Sequence, residues 1–288
     1  MILPDLLLTT RANQHWQFSG MDSLEQCQIK NYFKSYPYTF DYVYNSRGFR
    51  DVEWPNDIDQ LKTAIWCVGD SFTEGMGCPA DHAWPYILKK RTSIKTINVS
   101  MDGASNTWIA RKTVDILKEI NPEYIILHWS YLHRREISQQ EIWEKEADRG
   151  WRELYTMFRE PGWPDCETVV DSKKLPDYMQ EKIASHWVDP SYTDEERRRT
   201  DTRSTIEQDL ENFNDCLTSV NAANQNTKII HSFIPNFTKS DNLQSIIESI
   251  LPATKVVPYF DNLDLARDGH HYDIKTATHL VNQLIKLI

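Results

Sequence analysis

The sequence predicts an α/β protein, a doubly wound, mainly parallel five-stranded sheet carrying a helical insertion. Three observations lead there. Short, nearly continuous apolar runs recur from about residue 63 to the end, as strands buried on both faces of a parallel sheet should read. Between them lie stretches whose apolar residues repeat at helical spacing. The two kinds alternate, and strand–helix–strand alternation is how parallel strands are connected.

Taken in order, residues 1–62 are rich in aromatics, and 38–44 alternates like a strand before the turn Asn45-Ser46-Arg47-Gly48. This part is expected as an N-terminal extension packed on a main domain of 63–288. Strands are expected at 64–68, 96–99, 124–129, 228–233 and 255–260, and helices at 80–90, 106–120 and 243–250. The final stretch, 273–288, sets Ala277, Leu280, Val281, Leu284 and Leu287 along one helical stripe. Residues 131–226 separate the third strand from the fourth by far more than a normal crossover, and are read as a lid-like insertion. Within it, 138–148 opens with a capping box (Ser138, Glu141), and a charged stretch starts at Thr193. Pro161, Pro164, Pro176 and Pro190 break it into pieces. Arg197, Arg198 and Arg199 after Glu195-Glu196 read as a solvated helix face.

Composition narrows the function. Of 288 residues, 40% are hydrophobic and 26% charged, the balance of a soluble globular chain. A net charge of -10 disfavours nucleic acid as a partner. Cys27, Cys67, Cys78, Cys166 and Cys216 are odd in number and widely spaced, so neither a disulfide framework nor a structural zinc site is expected. Cys67, inside an apolar run, reads as core. The first eight residues are briefly apolar but lack a basic leader and contain Pro4 and Asp5. No run approaches the length of a membrane span, so a cytoplasmic location is expected.

Two segments carry chemistry. In Val68-Gly69-Asp70-Ser71 a buried strand ends, glycine permits a tight turn, and a serine stands where a helix begins. There its hydroxyl faces the carboxyl edge of the sheet, where open α/β folds bind ligands. Its backbone N–H, near a helix N-terminus, can face a developing oxyanion. Alone, the segment is equally well a helix cap and turn, since Asp and Ser are usual caps. In Asp268-Gly269-His270-His271, an aspartate three residues before a histidine can supply a base and its orienting partner from one loop. Alone, this too reads as an acidic cap beside solvated histidines.

Together the two segments resemble the SGNH hydrolase superfamily, also called GDSL esterases and lipases. Gly69-Asp70-Ser71 is similar to its nucleophile block and Asp268 to His271 to its terminal Asp-x-x-His block. The resemblance implies a flavodoxin-like sheet, Ser71 as nucleophile, His271 as base and Asp268 as its orienter, with no catalytic role for His270. Asn98-Val99-Ser100-Met101-Asp102-Gly103 looks like the second block, which implies that the N–H of Gly103 joins that of Ser71 in an oxyanion hole. Asn45 to Arg50 resembles a segment that often precedes this fold, and Ala83-Trp84-Pro85 resembles its first helix. The likeness covers roughly 45–130 and 250–288 and leaves out the insertion.

One block departs. After the third strand the family has Gly-x-Asn-Asp, whose asparagine donates to the oxyanion; here Ser130-Tyr131-Leu132-His133 puts leucine at that position. Either the hole uses only the N–H groups of Ser71 and Gly103, or Ser130, His133, Arg134 or Arg135 supplies a substitute. Those four are the candidate substrate-binding residues. Losing one such donor can cost on the order of 100-fold in rate. The expected activity is cleavage of a small acyl ester. An O-acetyl group on a carbohydrate suits the tryptophans Trp143, Trp151, Trp163 and Trp187 of the insertion, although packing explains each of them as well. Alternatives are a lipid esterase, thioesterase or acyltransferase with the same triad, or a non-catalytic binding protein on this scaffold. No metal-ligand spacing appears, and no cofactor is expected. His128, on an apolar strand, reads as a hydrogen-bonded core histidine.

Overall fold

The computed structural model describes residues 11–20, 31–132, 206–235 and 260–288, together with 7, 9, 22–24, 28, 134, 249–251 and 256–258. In chain order its elements are His15–Trp16 (β1), Asn31–Ser35 (α1), Tyr42–Val43 (β2), Ile58–Lys62 (α2), Ile65–Gly69 (β3), Ser71–Glu74 (α3), a 3₁₀ turn at Ala80–His82, Trp84–Thr92 (α4), Thr96–Ser100 (β4), Asn106–Glu119 (α5), Tyr124–Trp129 (β5), Ile206–Ala223 (α6), Lys228–Phe233 (β6) and Ile274–Leu284 (α7).

The apolar runs become a parallel sheet in the order β4-β3-β5-β6, four-stranded among the described residues. Ile65 stands opposite both Thr96 and Tyr124, and Gly69 opposite both Ser100 and His128. Every residue of β3 and β4 is buried, which requires both faces of the sheet to be covered. Among the described residues of the expected strand at 255–260, Val256 forms a parallel bridge to His231, and the Val257 N–H donates to the His231 carbonyl at 2.8 Å. Pro258 has no N–H with which to extend the ladder. With this bridge beside β6, the order matches the flavodoxin-like arrangement, whose switch point lies between β3 and β5.

Helices form where capping and periodicity agree. In α5 the Ser105 hydroxyl accepts the Trp108 N–H, and Trp108, Ile109, Thr113, Ile116 and Leu117 are buried along one face. In α7 the Asp273 carboxylate accepts the Ile274 N–H, and Ala277, Leu280, Val281 and Leu284 turn inward as their spacing predicts. The helix expected at 80–90 is divided. Ala83 is extended between the 3₁₀ turn and α4, because Pro85 fits only in a first turn, where its missing N–H costs nothing. Helix α4 packs on α7 and α5 on α6. Trp66, Trp84, Trp108 and Trp129 are fully buried in the continuous core this produces.

Helix α6 falls within the region read as an insertion, yet it occupies the place of an ordinary crossover helix before β6. The remainder of that region, 135–205, with its capping box, prolines, arginines and four tryptophans, lies outside the described residues, as does 243–248.

Of the alternating stretch 38–44, only β2 is strand, paired antiparallel with β1. The turn after it is held by the Asn45 side chain, which accepts the N–H groups of Arg47 and Phe49 at 3.0 and 3.1 Å. The next residues grip the sheet. Arg50 donates to the carbonyls of Gly75 and Cys78. The Asp51 carboxylate accepts the Asn98 N–H at 2.9 Å along the edge strand β4, which covers part of an otherwise open edge. Burial lifts the Asp51 carboxyl to about 6 against the pull of the N–H groups it accepts. Cys67, Cys78 and Cys216 are buried as thiols, and burial pushes the first two well above the ordinary range. None of the described helices is long and apolar enough to cross a membrane.

Candidate active site

At the end of β3 the chain turns sharply into α3. A Cβ on Gly69 would sit 2.1 Å from the Thr73 hydroxyl and 3.0 Å from the His128 carbonyl, so only glycine fits there. Asp70 then caps α3, its Oδ1 accepting the Phe72 N–H at 3.0 Å, and its carbonyl takes the N–H groups of Thr73 and Glu74. The cap and nucleophile readings of this segment are therefore compatible, because Asp70 is the cap and leaves Ser71 at the first helical position.

The Ser71 hydroxyl lies 2.7 Å from His271 Nε2, 200 residues away in sequence. On the other side of the ring, His271 Nδ1 lies 2.5 Å from Asp268 Oδ2. These contacts fit a neutral imidazole that donates from Nδ1 to the carboxylate and accepts the serine proton at Nε2. Asp268 Oδ1 also accepts the backbone N–H groups of His270 and His271, at 2.9 and 3.0 Å. The loop closes on itself through Ala266 N–H to the His271 carbonyl and Gly269 N–H to the Ala266 carbonyl. Phe72 packs against the His271 ring with centroids 4.6 Å apart. His270, one position away, is half-buried, with its ring beside those of Phe72 and His271.

Electrostatics favour a protonated imidazole more than in water. Burial lowers the His271 pKa, but Asp268, by charge and hydrogen bond, with Asp102 and Asp70 behind it, raises it above the ordinary 6.5. For Asp268 the opposition runs the other way. Burial raises its carboxyl, but the charges of His271 and His270 and the N–H groups it accepts bring it down to about 2. It is a carboxylate across the working range.

The third block is built differently from the family pattern. Ser130 follows β5 directly, and its hydroxyl donates to Asp70 Oδ2 at 2.6 Å. Arg134 Nη1 contacts the same Asp70 oxygen at 3.1 Å and the Ser130 hydroxyl at 3.0 Å, with its guanidinium over the Tyr131 ring. Burial raises the Asp70 carboxyl, and the Arg134 charge with the Ser130 and Phe72 donors opposes it. Of the four candidate substrate-binding residues, Ser130 and Arg134 thus meet at Asp70, one residue before Ser71. His133 and Arg135 lie outside the described residues. Leu132 is buried in the apolar core. Gly103 sits in the turn after β4 with φ 81°, in the left-handed region that favours glycine.

Sequence reasoning passed over Asn106. Its side chain accepts the Ser130 N–H at 2.9 Å and donates to the carbonyls of Ser130 and Tyr131, so α5 staples the end of β5. His128 is fully buried, its Nδ1 2.6 Å from the Ser232 hydroxyl, and burial lowers it to about 3. Among the described residues no group of three or more His, Cys, Asp or Glu side chains is arranged to hold a metal ion.

No protein-family model and no curated protein matches the sequence. Among solved structures, one described as TesA aligns with 78% of this chain and 97% of its own, at 13% identity and a TM-score of 0.41. A G-D-S-L family protein from Desulfitobacterium hafniense DCB-2 aligns with 78% of this chain and 99% of its own, at 14% identity and a TM-score of 0.35.

Proposed function

We propose that this chain is a serine ester hydrolase of the SGNH (GDSL) type, with Ser71 as nucleophile, His271 as general base and Asp268 as its orienter. The observation that carries the reading is the continuous hydrogen-bonded chain from Ser71 through His271 to Asp268, at the carboxyl edge of the sheet. A serine hydroxyl alone is a poor nucleophile, and a base fixed by a buried carboxylate is what activates it.

On this reading Ser71 Oγ attacks the acyl carbon as its proton passes to His271 Nε2, and the carbonyl oxygen becomes an oxyanion. Among the described residues, Asp70 engages the N–H groups of Phe72, Thr73 and Glu74, which leaves the Ser71 N–H for that oxyanion, with Gly103 as second donor. The tetrahedral species collapses, the C–O bond to the alcohol breaks, and His271 returns the proton to the leaving oxygen. Water then attacks the acyl-serine as its proton passes to the same imidazole; the bond from the acyl carbon to Ser71 Oγ breaks, His271 returns the proton to Oγ, and the acid leaves. Asp268 keeps its charge throughout and stabilises the imidazolium.

Leu132 gives no oxyanion donor, and the Arg134 Nη1 contact with Asp70 makes this arginine a brace of the nucleophile turn. On this reading the backbone N–H groups of Ser71 and Gly103 form the hole. The substrate we favour is a small acyl ester, an O-acetyl group on a carbohydrate. Hydrolysis of acetyl and longer acyl p-nitrophenyl esters tests the reading. The acetyl ester should turn over fastest, and Ser71→Ala should lose at least about 1,000-fold in kcat with an unchanged thermal transition. Undiminished turnover by that variant removes Ser71 from the mechanism.

A further inference from the structure

The Asp268–His271 loop is rigid within itself, but its own bonds do not fix where it stands relative to Ser71. Beyond the Phe72 ring against His271, a backbone link is made by Gly77, in the turn after α3. The Gly77 carbonyl accepts the Arg267 N–H at 2.7 Å, one residue before Asp268. Gly77 has φ +75°, and a Cβ there would lie 2.9 Å from the Asp268 carboxyl carbon, so its bare backbone is pressed against the orienting carboxylate.

Both partners of this link are held from the N-terminal segment by one residue, Asp22. Arg267 Nε and Nη2 donate to the two oxygens of Asp22 at 3.0 and 2.7 Å, a bidentate pair. The guanidinium lies over the Phe40 ring, 3.9 Å from its centroid. Tyr42 donates its hydroxyl to Asp22 Oδ2 at 2.6 Å and accepts the Gly77 N–H at 2.8 Å. A closed circuit results: Asp22, Arg267, Gly77, Tyr42 and back to Asp22. Asp22 is 0% and Arg267 8% exposed, so water cannot replace these bonds if they break.

We propose that Asp22 is a positioning residue for the general base: through Arg267 and Tyr42 it locks Gly77 against Asp268 and so sets His271 at hydrogen-bond distance from Ser71. The proposal rests on the Ser71–His271–Asp268 reading. It treats the N-terminal segment as part of the active-site framework, acting from outside the residues that touch substrate. Displacements of an ångström at reacting groups cost about 100-fold in rate, whereas a brace that serves only folding changes how many molecules are competent, not how fast each reacts.

A fluorophosphonate separates these two effects, because the final extent of labelling counts competent sites and its rate reads the alignment of Ser71 with His271. Asp22→Asn should slow labelling and lower kcat together, by about 10- to 100-fold, with the final extent and KM within about twofold of wild type. Tyr42→Phe removes one hydroxyl from a ring that stays packed. It should give a smaller loss in the same direction, and it carries the test if Asp22→Asn fails to fold. Wild-type labelling rate and kcat in the folded variants, or a loss confined to the final extent, overturns the proposal while leaving the triad standing. If wild-type protein is not labelled at Ser71, the hydrolase reading fails and this inference falls with it.

Discussion

At the scale of single residues, the site turns on which of two adjacent histidines meets the serine. His271 Nε2 is 2.7 Å from Ser71 Oγ, while His270 contributes its backbone N–H to Asp268 and its ring to Phe72. On the proposed mechanism His271→Ala should be as damaging as Ser71→Ala, since members of a catalytic unit do not contribute additively, and His270→Ala should stay within about tenfold of wild-type kcat/KM. The sign of the pH dependence follows from the carboxylates around the ring. A general base must be neutral, and Asp268, Asp102 and Asp70 favour its charged form, so activity should rise with pH through a midpoint above 6.5. A pH–kcat/KM profile checks this, and a midpoint below 6.5 would contradict it. The spacing of Asp268 and His271 was legible in the sequence because both sit in one short loop. The pairing of Arg134 with Asp70 was not, since its partners are 64 residues apart and any of four neighbouring side chains could have turned inward.

At the scale of elements, strands 124–129 and 228–233 matched their apolar runs to the residue, because a strand buried on both faces has no polar face to blur its ends. Boundaries failed where a proline overrode periodicity. Pro85 moved the start of α4 to Trp84. Side-chain staples between elements were invisible for a different reason: nothing in the periodicity of α5 announces that Asn106 will bond the loop after β5. Asn106 is fully buried, and Asn106→Ala would leave the Ser130 N–H and the carbonyls of Ser130 and Tyr131 without this partner. The cost is about 1–3 kcal/mol for each buried group left unsatisfied. Chemical denaturation should show it as a lower midpoint at unchanged slope. A midpoint equal to wild type would mean that other groups take up those bonds.

At the scale of the whole molecule, the sheet order β4-β3-β5-β6 explains why residues from opposite ends of the chain meet. Strand β3 is central, so the turn after it opens at the switch point, and the Asp268–His271 loop comes to that same edge ahead of α7. Alternating strands and helices made this much legible. The role of the N-terminal segment was not, because its ties to the sheet are single buried contacts at long range. Arg11 pairs with Glu74, Asp22 with Arg267, and Asp51 with the backbone of Asn98, at separations of 63, 245 and 47 residues. Such contacts leave no pattern in the sequence, yet two of them reach α3 and the base loop, between which the proposed chemistry runs. The central claim is that Ser71 is an activated nucleophile, and covalent labelling tests it most directly. Wild-type protein treated with a fluorophosphonate should gain one adduct, located at Ser71 by peptide mass spectrometry, and both Ser71→Ala and His271→Ala should prevent it. An intact, folded wild-type chain that remains unlabelled, or one labelled at another residue, would contradict the account.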